Sequence, residues 1–418
     1  MKRWLSAECS DLFLDAVSSV NIHSQRRYGE DLVLANYPNR PATLDSMDAL
    51  WDALCAVEAE AAALEGHPRA YLGGILAGLK MILRIMQGDD VPYADQILAM
   101  QQIVSREITP GQIDALGSRL DKKLTDQGYR QSSLAEKMSA FLSDYTLPSE
   151  QVVPVTRAYL DRCKQSTNAR ILPIPAESAI SDVRGVRGAI FSGNSAYLGD
   201  QKGRLSFNLD RQWSLPTFVG VLCHEGYPGH HAFYGRWDTL FQQGLLPAEA
   251  AFYIKNTPTN ALFEGVPENA LHFLEWDVPG SAVTEVTEEE KLRFATGEMI
   301  SDLKRMYQQN ACHYVNLNGM DKAGAIEYLT GSGLFSVSEA ESSHRFFTDA
   351  TRRTYYPSYY YGRWMVHNAY RRVAPERRGE YFALTYDRPH TTNTYLDAIR
   401  AFTGGDWEPY ETEGSYTS

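Results

Sequence analysis

A mainly helical fold carrying one small antiparallel β-sheet is what this sequence predicts, and three observations predict it. Apolar residues recur every three or four positions from Thr43 to about Leu147, the pattern of helices with one buried face. From about Ala169 to Asp210 that period gives way to short apolar or alternating runs separated by glycine turns. Then an apolar run, Phe218-Val219-Gly220-Val221-Leu222, leads into a histidine-rich octet, His224 to His231. The chain of 418 residues reads as a single domain. Its parts are a helical segment 1–168, the small sheet 169–210, a helical metal-binding part 211–405 and a polar tail 406–418 expected to fray.

Composition narrows the function classes. With 44% hydrophobic and 22% charged residues the chain is an ordinary globular one, and at this length it can bury about three-quarters of its unfolded surface. Five widely spaced cysteines, Cys9, Cys55, Cys163, Cys223 and Cys312, include no C-x-x-C pair. They suggest neither a disulfide framework nor a cysteine zinc site, and a reducing compartment is expected. The first residues lack an apolar core before Glu8, and the sequence reading finds no run approaching the roughly 18 residues of a membrane span. A cytoplasmic protein with no membrane partner is the expectation. The net charge of −12 argues against a nucleic-acid partner, which would want a basic face. The oligomeric state is left open.

The helical segments come first. Leu44, Met47, Leu50, Leu54, Val57 and Ala61 share a face behind a cap expected at Thr43. Tyr71 to Met86, Tyr93 to Ile108 and Gln112 to Gln127 repeat the habit, punctuated by Pro92, Pro110 and Pro148. Strands are expected at Ile171–Ile174, Gly188–Phe191, Ser195–Gly199 and Arg204–Asn208. Such a sheet, beside a metal helix, would offer an edge to which a peptide adds by main-chain hydrogen bonds. Ser214 ahead of Pro216 reads as the start of the metal-bearing helix, and Pro247 to Tyr253 as the opening of another.

The octet carries the chemistry. A hydrolytic zinc site needs nitrogen or oxygen ligands, an open position for water and a carboxylate beside that water. H-E-x-x-H supplies two ligands one helical turn apart with the base between them. Here His224 and His230 are six apart, which on a regular helix means about 600° of rotation. Pro228, however, cannot donate to the carbonyl of His224, so a regular helix is excluded. The segment must bulge between Glu225 and His230, with Gly229 free to take positive φ at the kink. His224 is then one ligand, His230 or His231 the second, and Glu225 the base. The third ligand is expected from a second helix, and Glu264 follows an apolar triplet, Ala261-Leu262-Phe263, that would carry it inward. Glu268, one turn on, suits a hydrogen bond to a ligand histidine. Glu275, His272 and Asp277 are further possible donors, and Pro267 limits the helix.

These residues carry a resemblance. The octet, Tyr197–Asn208, Glu264-Gly265, Gly319–Leu329 and Pro357–Gly362, in this order, resemble the bacterial domain-of-unknown-function 885 family, whose hallmark is H-E-x-x-P-G-H-H. An E-G-W-A segment and a late S-Y-x-x-G follow it there. The resemblance spans about residues 170 to 375. It implies a helical, gluzincin-like metallopeptidase architecture similar to the thermostable-type zinc carboxypeptidases. His224, His230 and Glu264 fall on the implied zinc ligands, leaving His231 as the alternative, and Glu225 falls on the base. The chain departs from the pattern at Val266-Pro267, where the family has W-A, and at Asn316, which stands where the family has histidine, with His313 offset.

Tyr359 occupies the family's late tyrosine position and is expected to donate to the oxyanion of a tetrahedral intermediate. Arg352, Arg353 and Arg363 in the same aromatic and basic stretch are candidates to grip a substrate carboxylate. The expected function is zinc-dependent hydrolysis of an amide bond in a short peptide or a modified amino acid. The alternatives are a non-peptidase iron or manganese enzyme, and an inactive metal-binding or interaction protein.

Overall fold

The computed structural model describes residues 2–412. Helix makes up 61% and strand 8% of the chain, in line with the mainly helical expectation. Helix α1 (Ala7–Tyr28) is capped by Ser6 and closed by Gly29 at φ 71°. After strand β1 (Val33–Asn36), α2 (Met47–Ala61) buries Leu50, Leu54, Val57 and Ala61. Its cap is Ser46 rather than Thr43, whose hydroxyl instead bonds Asp15. Helix α3 (Gly66–Gln87) follows. By length and composition it could span a membrane, yet 61% of its most apolar window is buried inside the fold. Helix α4 (Tyr93–Gln101) stops short of the expected Ile108, with Gln102 left-handed at φ 54°. Beyond it the Ile108 amide and carbonyl both pair with the side chain of Asn310, at 2.8 Å each, instead of with a helix. Helices α5 (Pro110–Asp126) and α6 (Leu134–Asp144) both begin in capping boxes, Thr109 with Gln112 and Ser133 with Glu136. Strand β2 (Thr146–Leu147) and helix α7 (Val152–Arg170) complete the first part.

The sheet lies within the expected segment, but only two of its strands fall where they were expected, and one of its pairings is parallel. Strand β5 (Lys202–Asn208) is central, β4 (Gly193–Gly199) is antiparallel to it, and β3 (Ala179–Val186) is parallel to it. Of the four expected strands, Ser195–Gly199 and Arg204–Asn208 fall in β4 and β5, whereas Ile171–Ile174 and Gly188–Phe191 are not strands. Leu205 and Phe207 of β5 are fully buried, and Phe207 meets Phe218 at 5.0 Å between ring centroids. That contact seats the sheet on the helix that carries His224.

Strand β6 (Trp213–Ser214) pairs with β2 and leads into α8 (Leu215–Glu225) and α9 (His230–Gln242). Where a helix was expected from Pro247 there is one 3₁₀ turn and then β7 (Phe252–Ile254). The backbone of β7 pairs with β1, and all three of its residues are buried, so the ladder wins over helix. Then come α10 (Asn260–Glu268), α11 (Ala270–Phe273) and the 30-residue α12 (Glu288–Leu317). Helices α13 (Lys322–Gly331), α14 (Val337–Thr348), α15 (Pro357–Tyr370), α16 (Arg378–Asp387) and α17 (Thr392–Thr403) finish the chain. The main apolar core runs from Leu5 to Ile399 and takes in the sheet and the octet, and a second, smaller cluster with Cys312, Leu329, Ala340 and Phe347 packs α13 and α14 against α12.

The tail expectation is corrected over 406–412. Asn368 donates to the carbonyls of Pro409 and Glu411 at 3.1 and 2.8 Å, the Tyr410 ring packs on Tyr361 at 4.9 Å, and Thr412 is buried. Residues 413–418 lie outside the described residues.

Candidate metal centre

The octet is not a bulged helix but two helices with a break between them. Helix α8 ends at Glu225, where the Gly226 amide still reaches the Leu222 carbonyl at 2.9 Å. Gly226 then leaves the helical region at φ −100° and ψ −109°, the Tyr227–Pro228 peptide is cis, and α9 starts at His230. Two amides bridge the break to carbonyls six residues back, Gly229 to Cys223 at 3.1 Å and Ala232 to Gly226 at 3.2 Å. Regular helix is excluded, as Pro228 requires, and the interruption is more complete than a widened turn. Gly229 serves differently from expectation. Its φ is −73°, and glycine is needed because a Cβ would overlap the His224 carbonyl.

The break turns His224 and His230 towards each other, with ring centroids 4.7 Å apart and planes at 82°. Glu264, from α10, meets both. His224 Nε2 is 3.3 Å from Glu264 Oε2, and His230 Nε2 is 3.6 Å from Glu264 Oε1. One ligand atom from each of the three residues lies within 4.8 Å of the other two. Donors bound about 2.0–2.1 Å from one tetrahedral zinc ion stand about 3.3–3.5 Å apart, so these separations fit a shared centre. Further observations agree. Buried His230 Nδ1 has no hydrogen-bond partner, and buried Glu264 Oε2 has only its ion-pair contact with His224, an arrangement that costs free energy unless something else meets such atoms. Charge points the same way. Glu225, Glu264 and Glu268 surround His224; burial works against its charged form, but Glu264, Glu268 and Glu225 outweigh that and push it up to about 9. His230 is held down to about 4, first by burial. Arg305 matches the charge of Glu268, so the acidic groups left facing His224 are Glu264 and Glu225, a setting that suits a cation.

Glu225 is 6% exposed, and burial pushes its carboxyl up to about 7 against the opposing pull of His224. The Ser195 amide, on β4, donates to it, and a Cβ on Gly193 would come within 2.9 Å of its Cγ. The edge strand therefore covers Glu225 directly. Tyr359 sits on α15, half-buried, with Glu264 and Glu225 raising its hydroxyl well above the usual phenol range after burial itself. Among the described residues no side chain or carbonyl bonds that hydroxyl, which leaves it available to a ligand.

Glu268 stands behind His224, its Oε1 3.5 Å from His224 Nδ1 and its Oε2 paired with Arg305. Arg305 also holds Asp302 at 2.8 Å, and Asp302 holds Arg363 at 3.0 Å. A buried chain of alternating charge thus orients the His224 ring. Arg305 was not foreseen; it sits on α12, outside every motif. Nor was the role of Tyr355, whose hydroxyl donates to Glu264 Oε1 and meets that of Tyr253 at 2.9 Å. Tyr355 was visible only as a member of the aromatic stretch.

Three expected substrate-binding residues are placed otherwise. Arg352 pairs with Glu30 and, at 3.1 Å, with Asp349. Arg353 donates to Gln96 at 2.9 Å. Arg363 is 2% exposed, committed to Asp302, the Glu268 carbonyl and Asn269 at 3.0 Å. All three hold the fold together. The rival ligand His231 is fully buried and turned away, its Nε2 3.4 Å from Ser178 and its ring against Gly203 of β5. Glu275 pairs with Arg378 at 2.6 Å, and His272 faces Asp277 at 3.3 Å, so none of them joins the donor set. His313 bonds Ser105 at 3.0 Å, and Asn316 bonds the carbonyls of Cys312 and Phe347, so this departure from the family pattern is a packing contact here.

Comparison with known proteins adds a fold likeness and little else. No family profile and no curated protein matches the sequence. The chain is similar in structure to a candidate lipoprotein from Colwellia psychrerythraea, with a TM-score of 0.57 and 12% identity over 92% of this chain and 69% of that one. A candidate lipoprotein of unknown function from Shewanella oneidensis gives 0.49 at 12% identity, over 85% and 71%. At this identity the first likeness speaks for the fold alone.

Proposed function

We propose that this chain is a zinc-dependent hydrolase of an amide bond in a short peptide or modified amino acid, with His224, His230 and Glu264 as metal ligands. The observation that carries the reading is the convergence of those three donors beside a buried, unbridged Glu225. The resemblance to the domain-of-unknown-function 885 family and the thermostable-type carboxypeptidases supports the same assignment. A zinc ion held there would supply Lewis acidity and make a bound water acidic enough to ionise near neutral pH.

The protein's own groups then have defined work. Glu225, with its carboxyl poised near neutrality, takes the proton of the attacking water and returns it to the leaving nitrogen. Tyr359 donates to the oxygen that becomes anionic. Tyr355, backed by Tyr253, holds Glu264, while Glu268, 3.5 Å from His224 Nδ1, favours a proton on that nitrogen and so leaves Nε2 as the donor atom. The arginines named from the sequence have no part in this. The test is to measure zinc per chain and products released from a library of dipeptides, tripeptides and acyl-amino acids. Stoichiometric zinc with amide cleavage is expected; a metal-loaded protein that cleaves none of them overturns the hydrolase reading.

A further inference from the structure

Behind the metal helix two thiols touch. Cys163 on α7 and Cys223 on α8 are both 0% exposed, and their sulfurs are 3.4 Å apart, though the residues are 60 positions apart in sequence. Neither belongs to the donor set, and the spacing that argued against a disulfide framework gives no hint of the contact. The other three cysteines, Cys9, Cys55 and Cys312, make no sulfur contact with them or with one another among the described residues. Cys223 immediately precedes His224, so whatever fixes Cys223 fixes the last turn of α8.

We propose that Cys163 and Cys223 form a dithiol–disulfide couple, a site of oxidative cross-linking that staples α7 to the metal-bearing helix. The sulfurs need approach by only about 1.4 Å to reach the bond length of about 2.05 Å. A small-molecule disulfide such as oxidised glutathione is the oxidant. The thiolate of one cysteine attacks a donor sulfur, forming a mixed disulfide and releasing one donor thiol. The second cysteine, as thiolate, attacks the protein sulfur of that mixed disulfide, closing the Cys163–Cys223 bond and releasing the second donor thiol. Two protein thiols lose two protons and two electrons, and one donor disulfide becomes two thiols. Burial keeps the pair open to exchange only when α7 and α8 part locally, so a reducing cytoplasm holds it as thiols and an oxidising medium closes it.

The experiment holds the full chain in oxidised glutathione with urea kept below the unfolding transition, then alkylates in denaturant and digests with trypsin. The expected product joins peptide 163–164 to peptide 212–236, two hydrogens lighter than the sum of the reduced pair. The partly exposed Cys55 serves as the control for a working oxidant by taking up glutathione. The oxidised protein should melt at least about 3 °C above the dithiothreitol-treated one. Cys163→Ser should abolish both the cross-link and the difference in melting temperature. Alkylation of both Cys163 and Cys223 while Cys55 carries glutathione overturns the proposal, as does linkage of Cys223 to any other cysteine in the wild-type chain. None of these readouts depends on bound zinc or on catalysis.

Discussion

Gly265 and Gly362 meet backbone to backbone where α10 crosses α15: a Cβ on either would overlap main-chain atoms of the other helix. The crossing accompanies the bond from Tyr355 to Glu264, which is next to Gly265, and puts Tyr359 within the electrostatic reach of that carboxylate. The two segments that carry the resemblance, Glu264-Gly265 and Ser358-Tyr359-Tyr360-Tyr361-Gly362, are therefore the two sides of one helix crossing. Gly265→Ala should force the helices apart, lowering stability by about 1–3 kcal/mol in urea unfolding. Zinc affinity should fall at least about tenfold, since Tyr355, the hydroxyl donor to Glu264, stands just ahead of α15 and shifts with it.

Glu225→Gln is isosteric and leaves all three donors in place. Bound zinc should be unchanged, while turnover of the best amide substrate drops by about 10²-fold or more. A variant that keeps wild-type turnover removes Glu225 from the role of base.

Replacing His224, His230 or Glu264 by Ala should each strip zinc from the protein, measured by metal analysis after dialysis against a weak chelator. His231→Ala should keep its zinc and lose stability instead, because His231 fills the space between α9 and β5. Full occupancy in His230→Ala with loss in His231→Ala would reverse the assignment.

The two tyrosines on the α15 side separate by readout. Tyr355→Phe removes the donor to Glu264 and should weaken zinc about 10–100-fold. Tyr359→Phe should leave zinc binding alone and lower kcat about 10²–10³-fold, the usual cost of one oxyanion donor.

Acid should destabilise the fold through a pair remote from the site. His390 is buried against His67 at 5.4 Å, and burial first, then the neighbouring His67, hold it down to about 3. The folded state keeps it neutral while the unfolded chain binds a proton near its ordinary value, so the unfolded state binds more protons at intermediate pH. The stability is complete above about pH 6.5 and is lost as pH falls towards 3, amounting to about 2 kcal/mol at pH 5. His390→Gln keeps a donor for the Leu384 carbonyl and should flatten urea midpoints between pH 7 and 5 relative to wild type.

Sequence reasoning reached the parts of the site that are local. His224, Glu225 and His230 stand within seven positions, and Pro228 alone rules out a regular helix through them. Glu264 was reachable because an apolar triplet before it must face inward. The arginines misled because their type suits a substrate carboxylate as well as a carboxylate or amide of the protein. Their partners Glu30, Gln96 and Asp302 lie 322, 257 and 61 positions away, beyond any local pattern. The parallel strand β3 was missed for a related reason, since its pairing with β5 depends on a register that only the packed sheet sets.

The break at Gly226–Gly229 also decides how this centre can be moved or found. His224 and Glu225 close one helix and His230 opens the next, so no single helical segment contains the donor set. A graft onto another scaffold would have to carry α8, the four-residue break, α9 and the crossing partner α10 as a unit. A template search built on one continuous zinc helix would pass such proteins by, and one built on two abutting helix ends with a shared carboxylate would collect them.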